Sequence, residues 1–194
     1  MRIFTASWFF PPATSAEGLV TYKLLKHSAY TYDVCCSRSK LWGYAKESDL
    51  KAENIHVYPV DTDQIDVWVK ACIRLFRKRD LACHYDCVMT RSMPPESILV
   101  GLAIKKIRPG IRWIASMADP VFRNPYELEA YIYEDVLLKK LHVNQLFIRH
   151  PKAIRHLPVF LPANKYKLLR NLYKLEQAAL RHADLLVLPS EKQK

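Results

Sequence analysis

Apolar segments of two periodicities alternate along this chain, and that alternation limits its fold more than any single motif does. "RIFTAS" (Arg2 to Ser7), "YDVCCS", "IHVYPV" (Ile55 to Val60), "DCVMTRS", "RWIASMA" and "DLLVLPS" are short and rich in β-branched, aromatic or alternating apolar residues, the mark of strands. Between them lie helix-like stretches. "GLVTYKLLKHSA" from Gly18 puts Leu19, Tyr22, Leu25 and Ala29 on one predicted face, and Asp66 to Arg79 forms a second helix. "PPESILVGLAIKKIRPG" carries prolines before its first turn, Glu96 near the positive end, Lys105, Lys106 and Arg108 near the negative end, and a Pro-Gly stop. Pro125 to His142 and Asn164 to His182 complete the helical set. Strands alternating with helices predict an α/β fold: a Rossmann-like, doubly wound, mainly parallel sheet with helices on both faces.

With 194 residues, half of them hydrophobic, the chain is long enough to bury the core of one such domain. A basic helical insertion is expected around residues 125–182. Thirty Lys and Arg against nineteen Asp and Glu leave a formal charge of +11, which favours polyanionic partners: phosphates, nucleic acid or an anionic membrane surface. Five cysteines, an odd number with Cys35 and Cys36 adjacent, argue against a complete disulfide framework and for a reducing, cytoplasmic compartment. "CHYDC" brings Cys83, His84 and Cys87 together, but without a fourth ligand or a standard zinc spacing no metal is expected. No apolar run approaches the roughly 20 residues of a membrane span, so any membrane contact is peripheral.

In a parallel sheet of this kind, ligands bind beyond the carboxyl ends of the strands, where strand order reverses. Position alone therefore nominates the loop Ser7 to Glu17 after the first strand, Arg91 and Ser92 after the fourth, Asp119 after the fifth and Ser190 after the sixth. Absent motifs narrow the chemistry. The chain has four glycines and neither GxGxxG nor GxxxxGK[ST], which excludes the usual dinucleotide and P-loop sites, and it carries neither GxSxG nor HExxH. "WIASMADPVFRNPY" ends an apolar strand on an acid locked to proline. Asp119 is thus either a turn residue, paired with Arg123 or alone, or an acid at the mouth of a cleft.

Taken in order, "IFTASWFFPP…EGLVTYKLLKH", "YDVCCSRS", "DCVMTRSMPPESILVGLAIKK", "RWIASMADPV" and "LEQAALRHADLLVLPSE" resemble the amino-terminal half of GT-B glycosyltransferases of the family-4 type, which build bacterial surface polysaccharides. The resemblance implies that the chain is the acceptor-side domain of an enzyme moving a sugar from a nucleotide-sugar to a polysaccharide or lipid-linked acceptor. It implies that the donor is gripped by a carboxy-terminal domain absent here, so that this fragment alone binds no cofactor and is inactive. Asp119 becomes the catalytic candidate, as base or as positioning acceptor. Ser15, Glu17, Gly18, Arg91, Ser92, Glu96 and Arg123 become the substrate-binding candidates, with Arg91 and Arg123 facing the phosphates of acceptor or donor.

Two departures stand out. Family members commonly carry two glycines where this chain has "ATSAEG", and a basic residue where it has Ala118. Two basic stretches bear on location. "VWVKACIRLFRKR" sets Val67, Trp68, Ala71, Cys72 and Leu75 beside Lys70, Arg74, Arg77, Lys78 and Arg79, either as an interfacial helix or as a helix packed on the sheet. Lys139 to Lys174 mixes basic and apolar residues around prolines, which suits docking at the inner face of a membrane beside a lipid-linked acceptor. The alternative is a basic, non-catalytic Rossmann-like module binding nucleic acid or a protein partner. No RNP-like strand, KH loop or zinc finger supports the nucleic-acid version.

Overall fold

The computed structural model describes residues 1–13, 15–38, 52–117, 121–122 and 163–188, with the side chains of 163–166 excepted. Six strands form one sheet, all parallel: β1 (Arg2–Ala6), β2 (Thr31–Ser37), β3 (Ile55–Val60), β4 (Cys87–Arg91), β5 (Arg112–Ser116) and β6 (Leu185–Val187), in the spatial order β3-β2-β1-β4-β5-β6. Pro59 cannot donate to a ladder, and it sits on β3, an edge strand, where that costs least. The chain winds outward from β1 to β3, then returns to β4 and winds the other way. Parallel crossovers are right-handed, so this reversal puts the helices of the two halves on opposite faces.

Helix α1 (Ala16–Lys26) covers one face, with Tyr22 and Leu25 packed among Ile3, Phe10, Tyr32, Val34, Cys36 and Ile55. Helices α2 (Ile65–Cys83), α3 (Ser97–Ile107) and α4 (Ala163–His182) cover the other, burying Trp68, Phe76, Ile98, Ile104, Leu169 and Leu172 against Phe4, Val88 and Trp113. The fold is therefore a Rossmann-like doubly wound α/β sheet. Helix α3 lies unusually close to β5: a Cβ built on Gly101 would fall 2.1 Å from Cε2 of Trp113, whose indole N–H donates to Thr90 Oγ1 at 3.0 Å. Only glycine permits that approach. Helix α4 is the crossover into β6, so residues 163–182 of the expected basic insertion are part of the doubly wound core. The expected helix 125–142 lies outside the described residues.

Several boundaries and faces differ from the sequence expectation. Helix α1 starts at Ala16 and ends at Lys26, so Ala29 is beyond it, and Leu19 is 36% exposed rather than facing the sheet. Helix α2 runs on to Cys83, where His84 takes a left-handed conformation (φ 47°) as its cap. Its apolar strip is Trp68, Val69, Cys72 and Phe76 packed on the sheet, and Val67 turns outward. Cys83 ends α2 while Cys87 is buried in β4, and no group of potential metal ligands occurs among the described residues.

The amino edge of the sheet is tied by a buried acid. Asp33, whose carboxylate is fully enclosed, accepts from Arg2 Nη2 at 2.9 and 3.0 Å, from Arg79 Nη2 at 3.2 Å and from Tyr85 Oη at 2.5 Å. Burial alone would raise its pKa, but the hydrogen bonds from Tyr85 and Arg2, with the charges of the arginines, outweigh it and hold the carboxylate below its ordinary value. Because the folded pKa is depressed, the stability it contributes is present above pH ~4 and is lost as pH falls through the folded value. Asp33→Asn is expected to cost about 3 kcal/mol at pH 7, the scale of breaking a buried ion pair. Urea unfolding should show the gap to wild type narrowing below pH ~4. A variant as stable as wild type at neutral pH would remove this role.

Candidate functional site

The topological switch point of the sheet lies where β1 and β4 are neighbours and their outgoing loops diverge. Its first wall is the loop after β1 and the start of α1. Ser15 caps the helix, its Oγ accepting from Gly18 N–H at 2.9 Å, and Ser15 O accepts from Leu19 N–H at 3.0 Å. Gly18 lets α1 sit on the loop: a Cβ there would lie 2.9 Å from Ser15 Oγ and 3.1 Å from Phe10 N.

The second wall is the end of β4. Arg91 is 7% exposed, and its Nε donates to Glu17 Oε1 at 2.8 Å while Nη2 pairs with the same oxygen. Its Nη1 donates to Ser116 Oγ at 2.6 Å, at the end of β5. One guanidinium thus clasps α1, β4 and β5 at the carboxyl edge. The sequence placed Glu17 and Arg91 on the rim separately; the structure brings them into contact 74 residues apart, with Arg91's charge committed to Glu17. Ser92 follows, its backbone N–H donating to Ser116 O at 3.0 Å. Its side chain is buried, and its hydroxyl has no partner among the described residues.

Glu96 stands apart from this cluster. It is the residue preceding α3, makes no side-chain capping bond, and lines a groove between α2 and α3 with Asp63, Ile65, Asp66, Val69, Lys70 and Leu99. The Ser97 hydroxyl beside it is buried without a partner among the described residues. The α3 N-terminus offers few donors, because Ser97, Ile98 and Leu99 N–H groups already donate to Pro94, Pro95 and Glu96 carbonyls at 3.1, 3.1 and 2.9 Å. Asp119 and Arg123, with Ser190, lie outside the described residues. Of their surroundings, Ser116 ends β5, and Phe122 N–H donates to Glu176 Oε2 at 2.9 Å, which fixes that point against α4. No family model, curated protein or solved structure matches the chain.

Ser116 is the member of the site that sequence reasoning missed. "RWIAS" reads as an apolar strand whose final serine is unremarkable, and only the register Arg91↔Ser116 brings it under the guanidinium. If the clasp holds α1 to the second half of the sheet, Arg91→Ala should cost about 3 kcal/mol, since Glu17 and Ser116 lose their partner in a mostly buried place. A double-mutant cycle with Glu17→Gln, read by urea unfolding, should give a coupling of about 1–3 kcal/mol. Additive effects would show that the pair does not join the two halves.

Proposed function

We propose that the chain is the acceptor-side half of a glycosyltransferase, binding a polysaccharide or lipid-linked saccharide at the β1/β4 crevice while a nucleotide-sugar is held by a further domain. The observation that carries the reading is the convergence of Ser15, Glu17, Gly18, Arg91 and Ser92 at the topological switch point of the sheet. In this reading the clasp makes Arg91 a positioning residue. It fixes Glu17 as a hydrogen-bond acceptor for sugar hydroxyls, and the buried Ser92 hydroxyl has no partner among the described residues. Asp119, following β5, is the base or positioning acceptor for the acceptor hydroxyl, and Arg123 meets the acceptor's phosphates. Sugar transfer needs an aligned acceptor above all, and a rigid strand-end scaffold supplies alignment.

The test is titration of the 194-residue chain by calorimetry and by amide NMR. UDP- and GDP-sugars are expected to bind negligibly, whereas a short-chain prenyl diphosphate-linked sugar shifts resonances of Ser15 to Gly18 and of Arg91 and Ser92. Micromolar nucleotide-sugar binding would overturn the division of labour. Shifts produced at the same residues by RNA or DNA oligonucleotides, and not by the saccharide, would favour the nucleic-acid-binding alternative.

The same reading places the protein at the inner face of a membrane, as a peripheral protein. No helix among the described residues is long and apolar enough to cross a bilayer. Its support is the outer face of the three-helix layer. On α2, Lys70, Arg74, Arg77 and Lys78 are exposed beside Val67 (39% exposed) and Leu81 (83% exposed), and α4 adds exposed Lys167, Arg170, Lys174 and Arg181. Each exposed cation near an anionic leaflet contributes about 1 kcal/mol. The chain should therefore sediment with anionic liposomes and release as salt rises, and Arg74→Gln with Arg77→Gln should weaken binding at least tenfold. Equal binding to neutral and anionic liposomes would rule the surface out.

A further inference from the structure

On the α1 face, a pocket of about 260 Å³ opens between the first loop, α1 and the edge strand β3. Phe10, Pro11, Pro12, Ile55, Val57 and Pro59 supply its apolar walls, and about half of the lining surface is polar. The sheet supplies one wall by register. Ile55, Val57 and Pro59 pair with Tyr32, Val34 and Cys36, which face α1, so their side chains share that face. Phe10 closes the inner end, edge-on to the Tyr22 ring with centroids 6.1 Å apart.

Two polar groups point the pocket toward a ligand. Tyr22 is 6% exposed, and its buried hydroxyl has no hydrogen-bond partner among the described residues. A buried phenol normally finds a partner, because leaving it unpaired costs on the order of a hydrogen bond. Arg38 is the one charged residue among the described residues of the lining. Its backbone N–H donates to Val60 O at 2.8 Å, which fixes the base of the side chain, while the guanidinium is half-exposed and only 4.0 Å from the largely exposed Asp61 carboxylate. That loose pair leaves its donors to an incoming anion.

We propose that this pocket binds a small planar aromatic molecule carrying an anionic group: the ring lies between Phe10, Pro11 and the β3 side chains, a ring or ring-borne acceptor takes the Tyr22 hydroxyl, and the anion meets Arg38. The volume suits one ring or a compact bicycle, a little below the roughly 300–1,000 Å³ of pockets for larger ligands. The site is independent of the glycosyltransferase reading, because neither Glu17 nor Arg91 takes part in it.

The probes are the three pyridine carboxylates, with benzoate lacking the ring acceptor, nicotinamide lacking the charge, and phenyl phosphate changing the anion. They are titrated into the full chain up to about 10 mM and followed by ligand-observed and amide NMR. The best pyridine carboxylate is expected to saturate with a dissociation constant of about 1 mM or tighter, a reasonable affinity for so few atoms. It should exceed both benzoate and nicotinamide about fivefold. Phenyl phosphate binding in place of the carboxylates would assign the anion as phosphate within the same chemistry. Tyr22→Phe removes only the hydroxyl and should erase the preference over benzoate. Arg38→Gln, at an exposed position, should erase the preference over nicotinamide. No saturable binding by any probe, as when the chain's own residues fill the pocket, or an unchanged ranking in both variants, overturns the proposal.

Discussion

Strand order reverses between β1 and β4, and most of what this protein can do follows from that reversal combined with the fixed hand of parallel crossovers. Had the chain continued outward past β3, every helix would lie on one face and no two neighbouring strands would send their loops apart. Returning to the other side of β1 moves α2, α3 and α4 to the opposite face from α1. It also opens a gap at the carboxyl edge that backbone pairing cannot close. Arg91, Glu17 and Ser116 fill that gap with side chains, so the clasp is the local answer to a topological problem and the site is its by-product.

The two charged clusters sit at opposite edges of the sheet and are built differently. At the amino edge Asp33 is sealed, with two arginines and a tyrosine hydroxyl filling its hydrogen-bonding capacity. In return, burial and Asp33 raise the Tyr85 phenol far above its ordinary pKa, so it remains a neutral donor throughout the working range. At the carboxyl edge Glu17 keeps one oxygen outside the described clasp bonds and 19% of its side-chain surface exposed, and Ser92 keeps a hydroxyl with no partner among the described residues. The half-satisfied cluster is the one placed to exchange protein contacts for ligand contacts.

The sheet was legible from sequence because its strands are short apolar runs separated by helical periods, and all six segments occupy strands in the order read. Helix rotation was not. Counting apolar residues on α1 favours Leu19 as a core position, yet Gly18 and Thr21 face inward with Tyr22 and Leu25. Rotation there is set by the close approach at Gly18 and by Glu17 reaching Arg91, neither of which adds hydrophobicity. Asp33 was hidden for a related reason. An acid in "TYDVCCS" reads as the polar half of an alternating strand, and its partners arrive from Arg2, Arg79 and Tyr85, between 31 and 52 residues away. The site was legible as a list of strand-end residues. Its pairing was not, because a salt bridge spanning 74 positions leaves no local periodicity to detect.

The distribution of charge also bears on how the crevice would meet a lipid-linked acceptor. The exposed cations of α2 and α4 point away from the sheet on the face opposite α1, while the crevice opens at the carboxyl edge, perpendicular to that face. A protein lying on an anionic surface through these helices would hold its sheet roughly parallel to the bilayer, raised by about one helix diameter, ~10 Å. The switch point would then open sideways, just above the headgroups. A sugar on a membrane-anchored diphosphate projects a comparable distance, so it could enter the crevice without leaving its lipid. The opposite orientation, with α1 down, would bring Leu19, Val20 and Leu24 to the surface with only Lys23 and Lys26 as basic residues of that helix, a weaker attraction for an anionic leaflet. Charge on the described residues therefore favours the α2 and α4 face over the α1 face.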